Sequence, residues 1–117
     1  MDEMALKQRT KEFAHRCVKL SLALPVTLLG KHIAGQLIRC STSVASNYRA
    51  SCLVQSKASF MAKISIVLEE TDESAFWLEF IIDESLIKRN LVSHLLKESE
   101  ELTAIFVSSR KTARKGK

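Results

Sequence analysis

The segment EETDESAFWLEFIIDE at residues 69–84 joins an acidic half to an apolar half, and this combination decides how the chain folds. At about 100° per residue of an α-helix, the apolar side chains of residues 76–82 point in directions that together surround the helix axis. A core on one side of the helix cannot cover all of them. We therefore expect a second neighbour, most simply another copy of the chain. The predicted oligomer interface consists of Phe76, Trp77, Phe80 and Ile81.

Acidic groups are concentrated in this one element of a basic chain. Residues 64–87 hold seven carboxylates and no Lys or Arg, whereas residues 1–63 hold ten basic and three acidic groups. Residues 88–117 hold eight basic and three acidic groups, and the formal net charge is +5. This charge favours encounter with polyanions but does not identify the ligand.

The composition indicates one all-α domain. A chain of 117 residues fits a single core, and one Pro and three Gly are too few for the turns of several strands. The longest uncharged run covers 11 residues from Leu20 to Gly30, shorter than the roughly 20 needed to span a bilayer, so no membrane segment is expected. Three cysteines without paired spacing and a polar N-terminus favour the cytoplasm.

Apolar residues at alternating spacings of three and four predict four helices. The first runs from Leu6 to Leu24 and is ended by Pro25 and residues 26–30; the third is capped by Ser56 and covers residues 57–84. The fourth begins near Leu91 and fades near Ser108. An antiparallel up-down-up-down four-helix bundle over residues 1–108 is the simplest closure. The predicted core positions of the second helix are Ile33, Leu37, Cys40, Val44, Asn47, Ser51 and Val54.

The segment SRKTARKGK at residues 109–117 has five positive charges and no apolar residue larger than Ala. Such a segment cannot offset the entropy of ordering itself, so a flexible basic C-terminal tail is predicted. On the first helix, Arg9, Arg16 and Lys19 lie on a similar side. The sequence shows no base-reading motif and no aromatic stacking platform, so only backbone phosphate contacts are predicted. The candidate nucleic-acid-binding residues are Arg9, Arg16, Lys19, Arg49, Arg110, Lys111, Arg114 and Lys115.

The residues that could carry catalysis are not grouped as chemistry requires. No His follows a Glu at the spacing of a di-metal bundle, and the three histidines lie on three different elements. The run Ser41–Ser43 lacks a glycine-flanked turn and a neighbouring base. We therefore expect no catalytic residue, no metal site, no cofactor and no enzymatic activity.

Asn47 is predicted at a core position, where an unpaired amide would cost about 1–3 kcal/mol. It requires a partner, and Arg39 and the carboxylates of the third helix are available, so a polar network between helices is predicted. A buried ligand site is the alternative. The predicted network contains Arg39, Asn47, Asp72, Glu73 and Glu79.

The segment QLIRCSTSVASNYRAS at residues 36–51, followed by SKASF at residues 56–60 and by residues 69–79, resembles the four-helix-bundle proteins encoded in intervening sequences of bacterial 23S ribosomal RNA. The sharpest matches are Gln36, Arg39, Ser43, Val44 and Asn47. After these, residues 48–51 read YRAS where the family commonly has an Ile-Ala-Glu-Gly-like sequence. The exchange removes a negative charge and adds a positive one, which is compatible with an anion-facing Arg49.

The resemblance implies a small, non-enzymatic bacterial protein that forms a ring, expected to be a homopentamer, and binds nucleic acid. It also implies that Gln36 shares a structural role with Arg39 and Asn47. Related accessory proteins of diversity-generating retroelements engage nucleic acid and a reverse transcriptase. We therefore expect a homo-oligomeric bundle that binds RNA or DNA through phosphate contacts; the alternative is a scaffold that recruits a protein partner.

Overall fold

The computed structural model describes residues 2–116, which form four long α-helices and no strand. These helices are α1 (Glu3–Leu22), α2 (Leu28–Ser51), α3 (Lys57–Asp83) and α4 (Ser93–Lys115), and a short 3₁₀ turn at Arg89–Leu91 precedes α4. The all-α prediction is confirmed.

Three helices begin at a capping side chain. Asp2, Thr27 and Ser56 each accept a hydrogen bond from the backbone N–H three residues later, at 2.7, 3.0 and 3.0 Å. Each cap satisfies one of the N–H groups that the first turn leaves without a partner. The predicted cap at Ser56 is confirmed, whereas residues 28–30, predicted to lie in the break after the first helix, already belong to α2.

Consecutive helices pack against each other: α1 against α2, α2 against α3, and α3 against α4. A sparser contact between α1 and α4 completes the arrangement. The molecule measures 49 × 20 × 20 Å, which fits helices of about 25 residues lying side by side. This order is consistent with the predicted up-down-up-down topology.

The buried face of α3 follows the predicted spacing. Ile81 at the end of this face is 0% exposed, so it is a core residue of the single chain and its assignment to an oligomer interface is corrected. Its position continues the repeat of three and four that points into the bundle. The buried α3 residues are Ile64, Val67, Thr71, Ser74, Ala75, Leu78 and Ile81.

Three predicted core positions are wrong, and one of them is Val54, which lies beyond the end of α2 and is half-buried. In α2, Tyr48 is buried and packs against the ring of Phe106 at 5.7 Å between centroids, while the neighbouring Asn47 is only half-buried. Adjacent residues differ by about 100° around a helix, and here the core face includes Tyr48 while Asn47 lies beside it. Leu91 is 63% exposed because it lies in the 3₁₀ turn before α4.

The end of α4 also differs from the prediction. The helix continues to Lys115 instead of fading near Ser108, so residues 109–115 are helical; Lys117, the end of the predicted tail, lies outside the described residues. The side chain of Lys57 donates to the backbone carbonyl oxygens of Arg114, at 3.0 Å, and of Gly116. A cation at these carbonyls stabilises the last turn, because it satisfies free acceptors and opposes the helix dipole.

Candidate nucleic-acid interface

One end of the bundle is basic. The contact of Lys57 with α4 places the start of α3 beside the end of α4, and Leu6, Tyr48, Phe60 and Ala113 from all four helices line one pocket there. This end, called the basic end below, gathers five of the predicted binding residues. They are Arg49, Arg110, Lys111, Arg114 and Lys115.

The cations of the basic end are available to a ligand. Arg110 is half-buried and the other four are exposed. Within residues 2–116, none of the five forms an ion pair with a carboxylate. The C-terminus of α4 carries a partial negative charge that favours Lys and Arg at this position. The geometry therefore presents a group of positive charges on the last turns of α4 and of α2.

Arg9 lies elsewhere and is engaged within the chain. Its Nε donates to Glu98 at 2.8 Å, and its Nη2 donates to Glu98 at 2.8 Å and to Glu101 at 2.9 Å. The hydrogen bond to Glu98 raises the pKa of Arg9 above its already high ordinary value. This bidentate pair joins α1 to α4 where their contact is sparse, so Arg9 has a structural role in place of the predicted phosphate contact.

Arg16 and Lys19 are exposed, but they lie in the second half of α1, away from its N-terminal turn at the basic end. The structure therefore splits the predicted set into three parts. One part is the basic end, one is the engaged Arg9, and one is this pair on the solvent side of α1.

Replacing Arg9 with Met should lower the free energy of unfolding by about 1–2 kcal/mol, because Glu98, only 18% exposed, would lose its partner. Arg16→Met is the matched control: it removes an exposed cation one heptad further along α1 and should change stability by less than about 0.5 kcal/mol. Urea unfolding followed by circular dichroism measures both. Equal effects of the two substitutions would contradict the structural role of Arg9.

The predicted polar network exists in part. Arg39 donates to neither Asp72 nor Glu79, which are both exposed, and instead donates to Glu70 at 3.0 Å and to Glu73. Its Nε also donates to Gln36 at 3.3 Å, within α2. Glu70 was missed because the sequence does not show which carboxylates face α2. The resulting cluster of Gln36, Arg39, Glu70 and Glu73 bridges α2 and α3.

Asn47 does not join this cluster. Its amide donates to the backbone carbonyl of Ser43 at 3.1 Å and to the hydroxyl of Ser43 at 2.8 Å, so it is satisfied within α2.

Glu73, a member of the cluster, also accepts from the indole N–H of Trp77 at 3.2 Å. The hydrogen bond from Arg39 lowers the pKa of Glu73, so the small stability it provides is present above the ordinary pKa and is lost as pH falls through the lowered one.

An aromatic cluster lies beside these carboxylates. Phe76 is 51% exposed, while Trp77 and Phe80 are half-buried. The ring centroids of Phe76 and Trp77 are 4.9 Å apart, and the ring of His32 from α2 meets Trp77 edge-on at 5.5 Å. Phe76 is thus the most exposed of the three α3 rings in this cluster.

The cysteines and histidines offer no assembled reactive centre. Burial raises the pKa of the Cys40 thiol to about 11 and raises that of Cys17 as well, so both remain protonated and unreactive at neutral pH. Within residues 2–116, no group of three or more His, Cys, Asp or Glu side chains is placed to hold a metal ion. No helix in the same range is long and apolar enough to cross a membrane.

The fold and the distribution of charge define a four-helix bundle with a basic end, an Arg–Glu cluster between two helices and an exposed aromatic ring. The chain belongs to the 23S rRNA-intervening sequence protein family, whose model matches residues 2–108. The resemblance seen in the sequence is thereby confirmed.

A solved structure supports the same assignment. The chain is similar to a protein with unknown function from the S23 ribosomal protein family of Bacteroides thetaiotaomicron, with 30% identity and a TM-score of 0.82. The match covers 95% of this chain and 99% of the other. No curated protein matches the chain.

Proposed function

We propose that the chain is a non-enzymatic, homo-oligomeric bundle that binds RNA or DNA through phosphate contacts of its basic end. The observation that carries this proposal is the group of five solvated cations there, none of which is paired with a carboxylate within residues 2–116. The family description refers to a 23S rRNA-intervening sequence, and a nucleic-acid ligand is the expectation that the family resemblance raised.

The chemistry of this end suits the phosphate backbone better than the bases. Arg110 and Lys111 lie one helical turn from Arg114 and Lys115, so the two pairs are spaced about 6 Å apart along α4. Arg and Lys neutralise phosphates and release their counterions, which favours binding without reading sequence. Arg49 on α2 widens the contact, whereas Arg16 and Lys19, in the second half of α1, lie outside the basic end.

Assembly would multiply this weak contact. A ring of several copies, with a homopentamer as the form expected from the family resemblance, presents one basic end per copy. Linked sites bind the same polyanion with higher effective concentration, so moderate single contacts can give useful affinity. The exposed ring of Phe76, at 51%, supports a self-association surface.

A cytoplasmic location completes the proposal. The three cysteines are free, and Cys52, which is half-buried, forms no disulfide. Free thiols are the usual state in a reducing compartment.

A protein-recruiting scaffold remains the competing function. It predicts capture of one dominant protein partner, and this capture survives nuclease treatment.

Salt dependence of binding tests the proposal. Fluorescence anisotropy with a labelled 20-nucleotide RNA and a 20-base-pair DNA should show affinity that falls steeply with salt. Five phosphate contacts, one for each cation of the basic end, predict a slope of log K against log salt of about −3.5 for single strands and about −4.5 for duplex. Binding that is independent of salt, or no binding at low salt, would overturn the proposal.

A further inference from the structure

Two surfaces of the chain are left without a partner, and the first is the outer side of α3. Its exposed residues follow spacings of three and four, which place them in one line along the helix. This line, called the acidic stripe below, has one aromatic ring at its centre and two carboxylates on each side. Its members are Glu69, Asp72, Phe76, Glu79 and Asp83, all exposed.

The second surface is an open groove of about 750 Å³ between α1 and α2, called the basic groove below. Lys7, Lys11 and Arg49 are among its lining residues and supply positive charge. Ala14, Ala45 and Val18 are among its apolar lining residues. Because the alanines are short, the groove has room for a bulky side chain from outside.

The two surfaces are similar in length and opposite in charge. The acidic stripe spans 14 residue steps from Glu69 to Asp83, and the α1 side of the groove spans the same number from Met4 to Val18. Both are therefore about 21 Å long. Negative side chains flank the ring of the stripe, and the positive side chains of the groove, Lys7, Lys11 and Arg49, lie along the half of the groove nearest the basic end. Such a fit is typical of a helix that docks its apolar centre into a groove with a charged rim.

We propose that the acidic stripe of one copy docks into the basic groove of a second copy, an inference that rests on the homo-oligomer of the proposed function. A chain cannot fill its own groove, because the groove lies between α1 and α2 while α3 packs against α2 and α4. Each copy therefore contacts one neighbour with its acidic stripe and another neighbour with its basic groove. Two different surfaces in contact form a heterologous interface, which closes into a ring when the rotation permits.

This docking leaves most of the proposed nucleic-acid surface free. Arg16 lies about 140° around α1 from Lys11, and the four cations of α4 are on another helix. Arg49 alone belongs to both surfaces. A ring built in this way would keep the ends of α4 exposed, so assembly and phosphate binding can be tested separately.

Charge reversal with restoration tests the docking by light scattering. D72K/E79K and K7E/K11E should each shift assembled protein to monomer at concentrations where the wild type is assembled, because each juxtaposes like charges. All four substitutions in one chain should restore assembly, since the reversed stripe then faces a reversed groove. E12K/E100K is the control: it makes the same charge change as D72K/E79K at two exposed positions outside both surfaces, and it should stay assembled.

Phe76→Ala tests the apolar centre and should weaken self-association at least about tenfold. Circular dichroism of all variants checks that the bundle remains folded, as expected because the substituted positions are exposed or, at Lys7, half-buried. An assembled D72K/E79K protein would overturn the docking, and so would a quadruple variant (K7E/K11E/D72K/E79K) that stays monomeric. A wild type that is monomeric at every concentration would refute the homo-oligomer itself. An assembled wild type that binds neither the RNA nor the DNA would refute only the nucleic-acid function.

Discussion

Replacing Gly30 with Ala is expected to lower the free energy of unfolding by about 2–3 kcal/mol. Gly30 is buried in the first turn of α2, where the chain passes close to Pro25. A Cβ at this position would overlap the carbonyl oxygen of Pro25, and it would lie 3.0 Å from the carbonyl carbon and 3.2 Å from Oγ1 of Thr27. Backbone atoms cannot rotate away as a side chain can, so the connection between α1 and α2 must shift and strain the Thr27 cap.

Gly35 provides the matched control five residues further along the same helix. It is exposed, and a Cβ there would meet no atom within 4 Å. Gly35→Ala should therefore stabilise the protein by about 0.5–1 kcal/mol, because Ala loses less backbone entropy in a helix. Urea unfolding of the two variants should give effects of opposite sign. A Gly30→Ala protein as stable as the wild type would contradict the close approach at Pro25.

This glycine shows where a sequence prediction of the fold stops. The helices and the core faces of α1 and α3 could be predicted, because a repeat of three and four that persists over 20 residues has one structural solution. Residues 26–30 were predicted only as a break. The need for Gly at position 30 comes from a contact across the turn, and no local pattern encodes that contact.

The candidate nucleic-acid interface was less predictable than the fold, because it also depends on contacts between helices that are distant in sequence. Charge counts indicated basic segments, but they did not show that Arg9 meets Glu98, because that pair depends on how α1 and α4 face each other. In α2 the predicted core position after Val44 is Asn47, three residues on, whereas the buried residue is Tyr48, four residues on; both spacings fit one helix face. The helical end of α4 depends on Lys57, which is distant in sequence from the carbonyls it contacts.

Removing the charge of the basic end is expected to weaken nucleic-acid binding by about 100-fold or more at 0.1 M salt, because four phosphate contacts and their released counterions are lost. The variant is R110Q/K111Q/R114Q/K115Q. Glutamine has nearly the helix propensity of Lys and Arg, so α4 should persist, whereas glutamates would also oppose the helix dipole. The salt slope should become shallower by about three to four units, close to one for each cation removed.

A charge-matched control separates this local effect from net charge. K31Q/K88Q/R89Q/K97Q removes four exposed cations that lie outside the basic end. It should weaken binding by less than about threefold, since distant surface charges are largely screened beyond a Debye length of about 10 Å. Anisotropy titrations over a range of salt concentrations compare the two variants directly. Equal losses would show that binding follows the total charge of the chain, and the assignment of phosphate contacts to the end of α4 would then be wrong.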